Sequence, residues 1–238
     1  MTQTALVTGA SGGIGSATAR DLGRDHDVVV QYHGDRESAE AVAADVRASG
    51  QAALVRQCDV SDPDAVEGLV ADARDELGGV DVLVNNAGVL HTAALESASD
   101  ETIQRTVRVN LEGATYCARA VLPGMLDRGE GRIVNVSSTA GTGGSPSDAA
   151  YGASKAGLLG LTRSLEKQYT EDGVLTNAVA PGPVRTKMYA EERRPAAREA
   201  SPIDRLVRPE EVAEAIRTFA TTTAITGETV VVDGGTRL

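Results

Sequence analysis

Short apolar runs recur along the chain, and each is followed by a stretch with helical spacing. Ala5-Leu6-Val7, Val28 to Tyr32, Ala53-Leu54-Val55, Val80 to Val84, Arg132 to Val136, Leu175 to Val179 and Thr229 to Val232 read as strands. Helices are predicted over Ile14 to Arg24, Ser38 to Ala48, Glu101 to Leu126, Tyr151 to Tyr169 and Pro209 to Ala220. In the second of these, Ala39, Val42, Ala43 and Val46 share one face. Another helix begins at Asp62-Pro63, with the acid as N-cap and Pro in the first turn. Strand-helix alternation of this kind predicts an α/β fold: a parallel sheet with helices on both faces, in one domain over residues 1–238. Lys187 to Leu206 departs from the pattern. It is polar, Arg/Glu-rich and broken by Pro, and reads as a substrate lid.

Composition sharpens this picture. Of 238 residues, 41% are hydrophobic but only 3% aromatic, with no Trp and one Phe. The core is therefore built from Val, Leu, Ile and Ala, which suits strands buried on both faces. The formal net charge of −11 argues against nucleic acid as a general partner and against an anionic membrane surface. Lys stands only at 155, 167 and 187, so nearly all cations are Arg. An acidic, Lys-poor surface is halophile-like, because it stays solvated at high salt. A GC-rich genome would leave the same Arg bias. Cys58 and Cys117 lack metal or disulfide-framework spacing. No apolar run reaches membrane-span length, and Met1-Thr2-Gln3-Thr4 leads straight into a strand, so the expected location is cytoplasmic.

Candidate chemistry sits where strands end. Thr8-Gly9-Ala10-Ser11-Gly12-Gly13-Ile14-Gly15 joins the first strand to the first helix. Glycines there allow a tight turn and let helix N-terminal amides face a pyrophosphate, the arrangement of a Rossmann-type, doubly wound sheet. Asp59-Val60 follows the third strand and Asn85-Asn86-Ala87-Gly88 the fourth, both at carboxyl ends where ligands bind in open sheets. Tyr151 and Lys155 are four apart and share a helix face. A nearby ammonium favours phenolate, so this pair predicts a phenol able to exchange a proton with a carbonyl oxygen. Ser138 stands at the end of the strand closing on Val136, where its hydroxyl could reach the same oxygen; Ser137 is adjacent and stays open.

Taken together, Thr8-Gly9…Gly13-Ile14-Gly15, Asp59-Val60, Asn85 to Gly88, Asn110, Ser138, Tyr151-x3-Lys155, Pro181-Gly182…Thr186 and Asp233-Gly234-Gly235 resemble the short-chain dehydrogenase/reductase family over nearly the whole chain. The resemblance implies an NAD(P)(H)-dependent oxidoreductase that interconverts a carbonyl and a secondary alcohol without a metal, commonly as a homotetramer. It implies Tyr151 as acid/base, Lys155 as the group that lowers its pKa and holds the nicotinamide ribose, Ser138 as the substrate-orienting hydroxyl, and Asn110 as anchor of a relay water. It further implies that Asn86, Ala87 and Gly88 flank the adenine ribose. Pro181, Gly182, Val184 and Thr186 would line the nicotinamide end.

An acid at the end of the second strand would select NAD, but that place holds Tyr32, with Asp35 and Arg36 just beyond. NADP(H) is therefore favoured, with Arg36 or His33 for a 2′-phosphate, and Asp35 keeps NAD(H) open. Within the family the pattern is most similar to 3-oxoacyl thioester reductases, which act on acyl-carrier-protein or CoA esters. The acidic surface and Asp172 count against a carrier protein, which is itself acidic. Arg193, Arg194 and Arg198 of the lid could meet CoA phosphates, or form a solvated face. A sugar, polyol or steroid alcohol dehydrogenase, and a non-catalytic nucleotide sensor, are the alternative readings.

Overall fold

β1 (Thr4–Val7) lies between β2 (Asp27–Tyr32) and β4 (Val82–Asn85), and the sheet grows outward from that centre. β3 (Ala53–Gln57) flanks β2, while β5 (Gly131–Val136), β6 (Val174–Pro181) and β7 (Thr229–Val232) follow β4, giving the order β3-β2-β1-β4-β5-β6-β7. Every pairing is parallel. The strand order reverses between β1 and β4, so the crevice expected of a doubly wound sheet opens there. The computed structural model describes residues 2–236; Met1, Arg237 and Leu238 of the expected 1–238 unit lie outside the described residues.

Successive strand residues point to opposite faces, and the two cores follow that alternation. Ala5 and Val7 pack with α1 (Gly13–Leu22), α2 (Arg36–Ala48) and the later helix α9 (Pro209–Thr221). Leu6 and Val29 pack on the other face with α3 (Pro63–Leu77) and α5 (Gly113–Arg128). Helix signals act locally. Asp62 caps α3 by accepting from Asp64 N at 3.0 Å, with Pro63 in the first turn, and Gly78 closes the helix at φ 83°.

The sequence predicts one helix over Glu101 to Leu126. The structure instead has α4 (Asp100–Val107), a π-helical turn (Arg108–Glu112) and α5. A π turn inserts one extra residue, a local irregularity that apolar spacing does not report. Gly113 follows it, where a Cβ would press to 2.8 Å from Val60 Cγ2. The fourth strand also runs Val82–Asn85 rather than Val80 to Val84.

Short α6 (Thr139–Gly143), long α7 (Ala149–Tyr169) and lid helix α8 (Arg194–Glu199) complete the set. The lid is pinned at its base, because Val184 and Val207 form a parallel bridge in which Arg185 N donates to Val207 O at 2.9 Å. Among the described residues, no helix is long and apolar enough to cross a membrane. Cys58 and Cys117 are free and buried, and burial pushes their thiols up to about 11 and about 12.

Candidate active site

The turn after β1 is held by bonds to its neighbouring strands. Gly9 N donates to Gln31 Oε1 at 2.7 Å, and Gln31 Nε2 donates to Cys58 O at 2.6 Å. From β4, Asn86 Nδ2 donates to Thr8 O at 2.8 Å and Gly9 O at 3.2 Å. Thr8 Oγ1 accepts from Asn86 N and Ala87 N. The Asn86 carboxamide, expected beside an adenine ribose, is thus engaged with the glycine turn.

Gly9 and Gly13 adopt φ of 65° and 54°, the left-handed region that favours glycine. A Cβ on Gly15 would lie 2.2 Å from the Gly9 carbonyl oxygen. Gly15→Ala is therefore expected to destabilise the fold by about 1–3 kcal/mol as the turn shifts. A melting temperature equal to the parent's would show that the turn yields freely.

This cradle fits a dinucleotide pyrophosphate. Gly12 caps α1 without a side-chain hydrogen bond, no acidic residue stands in its first turn, and a Cβ on Gly12 would meet open space. Amides there are left to serve an anion, which the helix dipole also favours. Thr186 closes the same cradle from the lid side, since a Cβ on Gly13 would sit 3.0 Å from its Cγ2. Ser11 and Ile14 lie in this turn, with Ile14 partly packed on the core. Pro181 ends β6, and Gly182 N donates to Val232 O at 3.0 Å. Val184 is buried at the base of the lid.

The adenosine side differs from expectation. Tyr32 ends β2, but its side chain packs into the core at 5% exposure. Asp59 Oδ1 accepts from Ser61 N and Oγ, a local turn, and its Oδ2 faces His33 at 3.6 Å. Val60 is buried against Gly113. Asp35 caps α2 with both oxygens accepting from Ser38, bonds that hold its carboxyl below the ordinary range, helped by Lys187. Exposed Arg36 pairs with Glu40. His26, at the turn before β2, is buried, with Nδ1 2.6 Å from Asp25 Oδ1.

At the other end of the crevice three side chains converge. Ser138 caps α6, and its hydroxyl bonds the Tyr151 phenol. Ser137 is turned away and donates to Lys155 O at 2.7 Å, which separates the two serines that sequence left open. Lys155 is buried. Its ammonium donates to Val136 O at 2.9 Å and lies 5.8 Å from the Tyr151 ring centroid. Burial pushes this lysine down to about 8.

The sequence predicts an ammonium that lowers the phenol. Here burial, with Asp148 adding to it, raises the Tyr151 phenol above its ordinary value, and the Ser138 hydroxyl opposes the rise. The ammonium faces the ring, so its effect on the phenol oxygen is not the dominant one.

The π turn turns Asn110 inward. Its Oδ1 accepts from Val89 N at 2.7 Å, and its Nδ2 donates to Val89 O at 3.0 Å and Ser154 Oγ at 3.1 Å. A Cβ on Gly88 would meet both Asn110 Oδ1, at 3.2 Å, and Lys155 Nζ, at 3.5 Å. Asn110, Gly88 and Lys155 are therefore neighbours, though Asn110 makes no direct bond to the lysine among the described contacts.

The lid arginines divide. Arg198 pairs with Asp204, and Arg194 pairs with Glu191 while donating to Thr186 O. Among the described residues, Arg193 bonds only hydroxyls, Thr92 Oγ1 at 3.4 Å and Ser147 Oγ at 3.3 Å, and stacks on Tyr189. Two elements were invisible to sequence reasoning: Gln31 and Asp148. A lone polar residue in the run Val28 to Tyr32 was the available signal for the first.

Comparison with known proteins agrees with the fold. The family model for short chain dehydrogenases matches residues 3–197. The chain is 42% identical to a 3-oxoacyl-[acyl-carrier-protein] reductase of Synechocystis over 98% of its own length and 96% of that protein's. It is equally identical, at 42%, to a cis-4-hydroxycyclohexanecarboxylate dehydrogenase of Sinomonas cyclohexanicum, covering 97% of this chain and 95% of that one. Among solved structures, an acetoin dehydrogenase of Salmonella typhimurium superposes with a TM-score of 0.92 at 32% identity, covering 100% of this chain and 96% of that chain.

Proposed function

Given that the chain belongs to the short-chain dehydrogenase family, we propose that it reduces the 3-oxo group of an acyl thioester to the 3-hydroxy form with NADP(H). The reading rests on one observation, the Ser138 hydroxyl at the Tyr151 phenol with the Lys155 ammonium over its ring, at the end of the crevice that carries the glycine cradle.

The glycine turn and the N-terminus of α1 would hold a reduced nicotinamide dinucleotide, which would supply a hydride for the carbonyl carbon. This chain's own residues do the rest. Ser138 donates a hydrogen bond to the carbonyl oxygen and fixes its position. Tyr151 passes its phenolic proton to that oxygen, a transfer that neutralises the charge developing there. Lys155, buried at the ring face, steadies the phenolate left behind. Asn110 holds the backbone at Val89 and binds Ser154, fixing the wall of the site beside Gly88 and Lys155.

Preference for NADP(H) follows from the adenosine side. No acid ends β2, both Asp35 oxygens are held by Ser38, and Lys187, close enough to act on Asp35, would be the cation for a 2′-phosphate. Arg193, engaged only with hydroxyls and a ring, is the lid cation left to meet an anionic thioester carrier. The active assembly is read as a homotetramer. A second reading, an alicyclic hydroxy acid dehydrogenase, is favoured by the equal identity to the Sinomonas enzyme.

One assay separates these readings. Oxidation of NADPH and of NADH is followed with acetoacetyl-CoA, the matching acyl-carrier-protein thioester, simple ketones, sugars and a 4-oxocyclohexanecarboxylate. The thioesters with NADPH are expected to give the highest kcat/KM. Turnover of the alicyclic acid alone would install the second reading, and tight cofactor binding without any turnover would favour a sensor.

A further inference from the structure

Asp148 stands three residues before Tyr151, at the N-cap of α7. Its side chain is 5% exposed, and its Oδ1 accepts from Tyr151 N at 2.9 Å. The second oxygen, Oδ2, is buried and has no hydrogen-bond partner among the described residues. No cation pairs with this carboxylate in the described ion pairs.

A helix N-terminus carries partial positive charge, which would stabilise a phenolate on its first turn. An anion at the cap cancels that help. We propose that Asp148 is a positioning residue for the catalytic proton: its unpaired carboxylate anchors the first turn of α7 through the Tyr151 amide and keeps the phenol in its protonated form, so that the resting site is a proton donor built for carbonyl reduction.

The inference rests on the reductase reading above and adds a direction to it. In that direction the Tyr151 O–H bond breaks and the alcohol O–H bond forms. The hydride pair goes from the reduced nicotinamide to the carbonyl carbon, and solvent restores the phenol.

The charged and polar groups around the phenol and its capping carboxylate come from three elements. From α7 come Asp148 and the Lys155 ammonium, which sits over the ring. From the turn after β5 comes the Ser138 hydroxyl. From the lid comes Arg193, which reaches the hydroxyl of Ser147, next to Asp148. Of these, Asp148 is the one anion, and it opposes ionisation of the phenol alongside burial itself. A structural cap alone needs only an acceptor oxygen, and Ser, Thr or Asn would serve as well as Asp. The charge is what an ordinary cap does not require.

The test uses Asp148→Asn, which keeps a capping oxygen and removes the charge, with Asp148→Ser as a second neutral cap. The tyrosinate absorbance of the full-length, cofactor-free protein is followed across the alkaline range, with the Tyr151→Phe curve subtracted to isolate this phenol. Both neutral caps should lower its midpoint by about one unit, the low end of what a neighbouring charge produces. The lower limb of the pH profile for alcohol oxidation should move by the same amount. Asp148→Ala should share the lowered midpoint and lose thermal stability besides, since it lacks the cap. An unmoved midpoint in either folded neutral cap would overturn the proposal and leave Asp148 a structural cap. Because the titration needs neither substrate nor cofactor, a lowered midpoint stands even if no thioester is reduced, and that failure would count against the substrate reading alone.

Discussion

Tyr151→Phe should lower kcat by roughly 10²–10⁴-fold, the range of general acid catalysis, with nicotinamide binding essentially unchanged. The phenylalanine ring keeps the shape that packs beneath Lys155 and removes only the oxygen bonded to Ser138. Helix α7 should not notice, because its cap, Asp148, accepts from the Tyr151 amide and not from the phenol. Dissociation constants from fluorescence quenching and rates from stopped turnover check the two halves separately. Unimpaired turnover would remove the phenol from the chemistry. A loss confined to KM would mean that it only orients substrate.

This expectation was open to sequence reading because a spacing of four on a helix is a geometric statement: Tyr151 and Lys155 must share a face. What that face meets was not legible. Ser137 and Ser138 differ by one position at a strand end, where successive side chains point to opposite sides. Which one meets the phenol depends on how the chain leaves β5, and Ser137 proves to be tied to Lys155 O. The net direction of the phenol's shift, raised by burial and Asp148, was not legible for a similar reason. Spacing gives proximity but not whether the charge faces the ring or the oxygen.

Long-range contacts explain the remaining gaps. The seven strands and the two helical layers followed from alternation alone. Gln31 in β2 reaches the glycine turn after β1 and the end of β3 at once, a role that exists only after three strands align. Tyr32 was assigned to the cofactor from its place in the chain, yet the pleat sends its ring into the core. The π turn at Arg108–Glu112 decides where Asn110 points, and no local residue type marks it. Resemblance supplied Asn110 as a candidate, and the structure supplied its partners.

Lys155→Met should abolish most activity and, at the same time, make the protein more stable near neutral pH. The lysine is 4% exposed, its ammonium has one hydrogen bond, to Val136 O, and burial holds it down to about 8 from an ordinary 10.5. For a base lowered in this way the sign runs against folding. Below about pH 8 both folded and unfolded chains hold the proton, and the folded state bears the full penalty of a buried charge, about 3 kcal/mol. Between about 8 and 10.5 the unfolded chain binds more protons than the folded one, so this contribution rises with pH, and above that window it vanishes.

Methionine has a similar length and fills an irregular space readily, though it leaves the Val136 carbonyl short of a donor, at about 1 kcal/mol. The net gain expected at neutral pH is about 2 kcal/mol, or roughly 4–8 °C in Tm. Thermal melts of the two proteins should approach each other and then cross as pH rises, the methionine variant ending lower by about 1 kcal/mol above the window, while turnover stays at least roughly 10²-fold down throughout. A methionine variant that melts lower at neutral pH would mean that the ammonium is well accommodated, and that the site holds its charge without strain.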